Sequence, residues 1–223
     1  MKADVWDRRS LGIGIIGLAE HLHNTGGSYS RGASTEKLAE MHYFHCLKAS
    51  QELVEERKYR KVEGIKVDWL PIDTKRTLDA PALDWESLRG KPRANSVLVA
   101  HMPTESSSLF SNSTNGLYPV RQRVISKQSR KGLVQYIAPD VKETAWEVAP
   151  EDIIDLYACV QGWTDQAISA DYYAKAGKVS LSQMMKDWVY AARLGIKTMY
   201  YLNTEDSQGA TLHKGCEGGS CTL

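Results

Sequence analysis

Two cysteines near the end of the chain, in Cys216-Glu-Gly-Gly-Ser-Cys221, offer the most direct chemistry in the sequence. Glycines between them let the backbone turn enough to bring the Cα atoms to the ~5.5 Å that a disulfide needs. The segment that carries them, 203–223, is polar, glycine-rich and without hydrophobic period, so it reads as a mobile tail. A dithiol on such a tail suits thiol–disulfide exchange, in which a thiolate attacks a disulfide elsewhere and carries oxidising equivalents away. Half a zinc site is the other reading, although two more ligands are needed and only His213 lies nearby.

A second candidate is Pro103-Thr104-Glu105-Ser106-Ser107-Ser108. Its hydroxyls and backbone N–H groups sit at an expected strand-to-helix turn, where the helix dipole favours an anion, so a phosphate is accommodated without a lysine. Taken alone, the same residues serve as an ordinary helix N-cap.

Tyr200 and Tyr201 form a third candidate. Stacked phenols shielded from water can pass an electron and a proton, but adjacent strand residues face opposite sides, so stacking requires a local break in strand geometry. By itself a Tyr-Tyr pair in an apolar strand reads as packing.

Two weaker patterns go no further. Gly12-x-Gly14-x-x-Gly17 matches the dinucleotide fingerprint by letter, with no preceding strand or suitably spaced acid to complete a βαβ unit. His42, His45 and Cys46 share a turn with Leu38, Met41 and Ala49, which reads as a packed helix face rather than a metal site.

The elements that must position these groups follow from periodicity and punctuation. A helix is expected over 10–23, a Gly/Ser loop over 24–32, and a long helix over 35–58. Residues 59–95, interrupted by Pro71, Pro81 and Pro92, read as an irregular connector with a helical turn near Trp85 and Leu88. Ser96–Met102 is a strand, and the polar run after it begins a helix that ends by Gly116. A hairpin is expected over 123–137, with helices over 151–168 and 180–194. Gly195 caps the last helix, and 196–202 forms a final buried strand. The division is thus 1–202 and a tail, 203–223.

Composition narrows the function classes. In 223 residues of 42% hydrophobic content, 28 Lys and Arg balance 27 Asp and Glu, leaving +1, which gathers neither nucleic acid nor anionic membrane. The apolar run Leu11 to Ala19 falls far short of the ~20 residues that span a bilayer. Four cysteines, with Cys46 and Cys159 inside expected helices, are too few for a secreted disulfide scaffold, which points to a cytoplasmic home.

In order along the chain, HMPTESSSLFSNSTNG, IKTMYYLNT and GCEGGSC, the last ending two residues before the terminus, resemble the class I ribonucleoside-diphosphate reductase large subunit. RRSLGIGIIGLA, LKASQELVEE, LPIDT, LDWESLR, DQAISA and KVSLSQMMKDWVYAARLGIKTMYY resemble that family too, so the likeness covers essentially the whole chain.

The resemblance implies the C-terminal part of a ten-stranded α/β barrel that reduces ribonucleoside diphosphates to deoxyribonucleoside diphosphates for DNA replication. In it, Thr104, Glu105, Ser106 and Ser107 hold the substrate diphosphate. Tyr200 and Tyr201 pass a radical, and Cys216 and Cys221 re-reduce the active-site disulfide before thioredoxin or glutaredoxin reduces them. No cofactor is implied for this chain, because the radical arises at a metal site in a separate small subunit.

The family's usual chain is several times longer, and its N-terminal half carries the allosteric domains and the thiyl-radical cysteine. The implied arrangement is therefore a split large subunit of phage type, beginning at Met1 and working with a second chain in the host cytoplasm. The alternative is a non-catalytic remnant that only binds or assembles.

Overall fold

The computed structural model describes Val5 and residues 8–30, 33–57, 83–129, 132–175 and 177–205. Cys216, Cys221 and the expected tail from residue 206 onward lie outside these residues, as does most of the connector.

The first expected helix is half replaced by extended chain. Leu11 N–H donates to the Val97 carbonyl at 2.9 Å, Ile13 N–H to that of Leu98 at 2.9 Å, and Ala100 N–H to that of Ile13 at 3.1 Å. Ile13 and Val99 thus form a parallel bridge. Glycines explain the outcome, since Gly12 and Gly14 weaken a helix and allow two backbones to approach closely. Helix α1, Leu18–Asn24, starts only after Gly17, whose φ of 84° ends the extended run.

Helix α2, Ala33–Glu56, falls where the periodicity put it. A short 3-10 turn at Glu86–Leu88 brings Trp85 against it. There the Trp85 indole donates to Glu40 at 2.9 Å and stacks on Trp163 at 5.3 Å between ring centroids. Helix α3, Glu105–Phe110, follows the strand-like segment 97–101. The expected hairpin is β1, Val124–Ser129, paired with β2, Gly132–Ile137.

Helix α4 is Pro150–Gln161, opened by proline in its first turn and by Glu151 and Asp152 against the helix dipole. It stops well short of residue 168, because Gln161 turns its side chain to hold the next loop: it donates to the Gln166 carbonyl at 2.8 Å and accepts from Ile168 N–H at 3.1 Å. That loop leads into β3, Ala170–Lys175, a strand the periodicity did not reveal.

Helix α5, Leu181–Arg193, begins at Ser180, whose hydroxyl accepts from Gln183 N–H at 3.1 Å. Gly195, at φ 87°, ends it in the left-handed conformation that was expected. Strand β4, Met199–Glu205, pairs parallel with β3 and continues three residues past Leu202. It is not the buried strand expected, for Tyr200 and Leu202 are 55% and 50% exposed.

Helices α2, α4 and α5 pack in sequence, with α4 also against β3. The core between them is centred on Leu18, Leu47, Leu98, Ile154, Leu156 and Tyr157, all essentially inaccessible. Among the described helices none is long and apolar enough to cross a membrane.

Candidate functional site

The segment 97–101 is the spine of the site. Its other side is held by Asp165, whose carboxylate accepts from the N–H groups of Leu98 at 2.8 Å and Val99 at 3.1 Å and from the Tyr43 phenol at 2.9 Å. Gln166 N–H and Ser169 N–H then bond the carbonyls of Val99 and His101. Residues 11–15, 97–101 and 165–169 therefore run side by side, and β3 and β4 extend the row.

His101 ends the spine. Burial, and secondarily His42 at 5.9 Å between rings, holds its imidazole down to about pKa 4, leaving Nδ1 free to accept from Ile15 N–H at 3.3 Å. Three residues on, Thr104 does not cap α3 with its side chain. Its hydroxyl instead donates to Asn115 Oδ1 at 3.1 Å and accepts from Gly116 N–H at 2.9 Å, tying the start of α3 to the loop behind it. Ser106 and Ser107 are exposed on the first turn of the helix.

Behind α3 lies a cleft of about 90 Å³ whose walls include Glu105, Asn115, Tyr118, Arg121, Asp171 and Tyr173. It runs from Glu105 and Ser108 of α3 to Asp171 and Tyr173 of β3.

Along those strands Ala170 faces Met199 but Asp171 faces Tyr201, so Tyr200 is the extra residue of a bulge. The bulge lifts the rule that neighbouring side chains point to opposite faces, and the rings of Tyr200 and Tyr201 meet at 4.3 Å with 63° between their planes. The break in strand geometry is therefore present, and the rings meet edge-on rather than stacked as expected. Tyr118 stands close by, donating to the Ser169 carbonyl at 2.7 Å; burial first, then Asp171 and both tyrosines, push its phenol far above the ordinary range.

Asp171 escaped the sequence reading. Its carboxyl is pushed up to about pKa 7 by burial, against the opposing pull of Asn203, Arg121, Tyr173 and the Tyr201 N–H. The aromatic run Asp171-Tyr172-Tyr173 was the available signal for a strand, but no spacing announces a buried acid within it.

Cys46 and Cys159 sit inside α2 and α4, half-buried, with their thiols raised by burial. A raised thiol is a poor nucleophile and a poor metal ligand. His42 Nε2 lies 3.8 Å from Cys46 Sγ while His45 faces solvent, in keeping with a packed helix face. Among the described residues no three His, Cys, Asp or Glu side chains are grouped to hold a metal ion.

The sequence model of the family described as "Ribonucleotide reductase, barrel domain" matches residues 1–144 and 139–202. The chain belongs to this family. Its mixed α/β make-up, with a row of parallel extended segments, agrees with part of a ribonucleotide reductase barrel. Among similar proteins, ribonucleoside-diphosphate reductase 1 subunit alpha of Escherichia coli is 36% identical over all of this chain and 34% of its own length. The subunit alpha of Haemophilus influenzae is 37% identical over 97% of this chain and 33% of its own. That of Enterobacteria phage T4 is 33% identical over 91% and 30%. This reductase barrel chain thus spans about a third of the length of the relatives it matches.

Proposed function

We propose that the chain supplies the later part of a class I ribonucleotide reductase large subunit, acting with partners to reduce ribonucleoside diphosphates to deoxyribonucleoside diphosphates. The observation that carries this reading is the bulge that brings Tyr200 and Tyr201 ring to ring in a member of the reductase barrel family.

Each candidate has one role. The turn Thr104, Glu105, Ser106 and Ser107 holds the substrate diphosphate, with backbone amides at the start of α3 as donors. Tyr200 and Tyr201 pass the radical, which a metal site in a separate small subunit generates. Cys216 and Cys221 carry reducing equivalents from thioredoxin or glutaredoxin to the active-site disulfide.

A further chain is required in this reading, because neither half-buried helical cysteine, Cys46 or Cys159, fits the role of a thiyl radical at a barrel centre. The outward faces of α5 and β4 support such a partner. Leu181, Met185, Trp188 and Val189, with Tyr200 and Leu202, leave an exposed apolar surface of the kind an interface covers. We assign that surface to the polypeptide bearing the earlier half of the barrel.

The test is diphosphate reduction with this chain, a chain bearing the earlier half, and the small subunit, each omitted in turn. Turnover is expected only with all three. Turnover by this chain and the small subunit alone would overturn the split reading, and none from the full set would overturn the activity.

A further inference from the structure

The bulge has a lock. Asp171 stands opposite Tyr201, whose backbone N–H lies near enough to favour the charged form of the carboxyl. The Oδ2 atom also accepts from Asn203 Nδ2 at 3.2 Å and lies 3.4 Å from the Tyr173 hydroxyl that donates to it. Asn203 is held from its other end by Arg121, whose Nη1 donates to Asn203 Oδ1 at 2.8 Å. Trp146 in turn donates to the Arg121 carbonyl at 2.8 Å and packs edge-on against Tyr173. One carboxylate thus grips β4 at Tyr201 and at Asn203, immediately after the extra residue.

Nothing in ordinary strand pairing needs an acid here. The second oxygen, Oδ1, is buried without a hydrogen-bond partner among the described residues. A buried acceptor left unmet is unfavourable, so its retention calls for a local reason.

We propose that Asp171 is a positioning residue for the tyrosine pair, holding the bulge so that the rings of Tyr200 and Tyr201 stay in contact. Its effect on turnover rests on the relay reading of those tyrosines; its effect on ring geometry does not. In the relay one phenol gives up an electron and a proton, and the neighbouring phenoxyl takes both, so no oxidant is consumed within the pair. Such a transfer depends steeply on ring approach, which is the quantity Asp171 controls.

The experiment compares Asp171→Ala, Asp171→Asn and Asn203→Ala in the full chain. Asparagine keeps one oxygen for Tyr201 N–H and Asn203 while its NH₂ replaces the unpartnered atom, so it should rescue what alanine loses. With both tyrosines isotopically labelled, the mutual ring-current shifts in proton NMR should be present in the wild type and Asp171→Asn and collapse in Asp171→Ala. In the complete assembly kcat should fall roughly tenfold or more in Asp171→Ala, with KM for the nucleoside diphosphate little changed.

Asn203→Ala removes the other half of the grip and should weaken both signals, which keeps the test intact if Asp171→Ala does not fold. Wild-type ring shifts in both alanine variants, or equal loss in Asp171→Asn and Asp171→Ala, would overturn the proposal. A wild-type assembly without diphosphate reduction would instead overturn the relay reading, leaving the ring shifts to judge Asp171 on their own.

Discussion

A Cβ atom added to Gly14 would stand 2.8 Å from the carbonyl oxygen of Ala100, closer than real Cβ contacts come. The two backbones can lie side by side only because no side chain intervenes there, and that contact is what turns the start of the expected first helix into extended chain. Gly12 is more forgiving, since its added Cβ would meet the flexible Cε of Met102 at 3.3 Å.

Gly14→Ala should therefore lower stability by about 1–3 kcal/mol, the usual range for overpacking, and Gly12→Ala by clearly less. Urea midpoints compare them. Equal losses would mean that the Ala100 carbonyl gives way as easily as the methionine.

His101 and Asp171 titrate with opposite signs, and stability should show both. The folded-state pKa of His101, about 4, lies below its unfolded value near 6.5, so its contribution is present above 6.5 and lost as pH falls toward 4. In His101→Asn the amide oxygen can still accept from Ile15 N–H, and the acid loss should shrink. Unfolding midpoints at pH 7 and pH 4.5 report it.

For Asp171 the folded-state pKa, about 7, lies above the ordinary 3.8. Its contribution is present below 3.8 and is lost as pH rises through 7. Asp171→Asn should consequently stabilise the chain at pH 8 relative to the wild type, by up to a few kcal/mol, and by much less at pH 4. A constant difference across that range would show that Asp171 does not titrate there.

Tyr200 and Tyr201 are 55% and 40% exposed in this chain, so Tyr200→Phe and Tyr201→Phe should leave its melting temperature nearly unchanged. Reduction by the full assembly should nevertheless fall to background in both, because phenylalanine has no phenolic proton to give. Retained turnover in either variant would remove that tyrosine from the relay.

Cys216→Ser should abolish turnover driven by thioredoxin while keeping most of that driven by a small dithiol, which reaches a buried disulfide without a carrier. Rates left unchanged by the substitution with either reductant would point to the remnant reading instead.

Much of this was legible before any coordinates. Apolar period announced α2, α4 and α5, turn chemistry announced the hairpin and Gly195, and family-specific wording singled out the Thr104 turn, the tyrosines and the terminal cysteines. Those signals are local: each is a preference of a short stretch for one backbone shape, readable wherever the stretch goes.

What sequence could not decide is whatever depends on a neighbour distant in the chain. Residues 10–16 kept a helix-like pattern, yet the backbone of 97–101 captured them through contacts that only glycine permits. Strand β3 and the bulge in β4 exist because the two strands lie side by side, and Asp171 matters because the fold sets it opposite Tyr201 and buries it. Family-like wording thus singled out the residues proposed to carry chemistry, whereas tertiary pairing alone decided that two adjacent tyrosines share a face, since register is a property of two strands and not of either one.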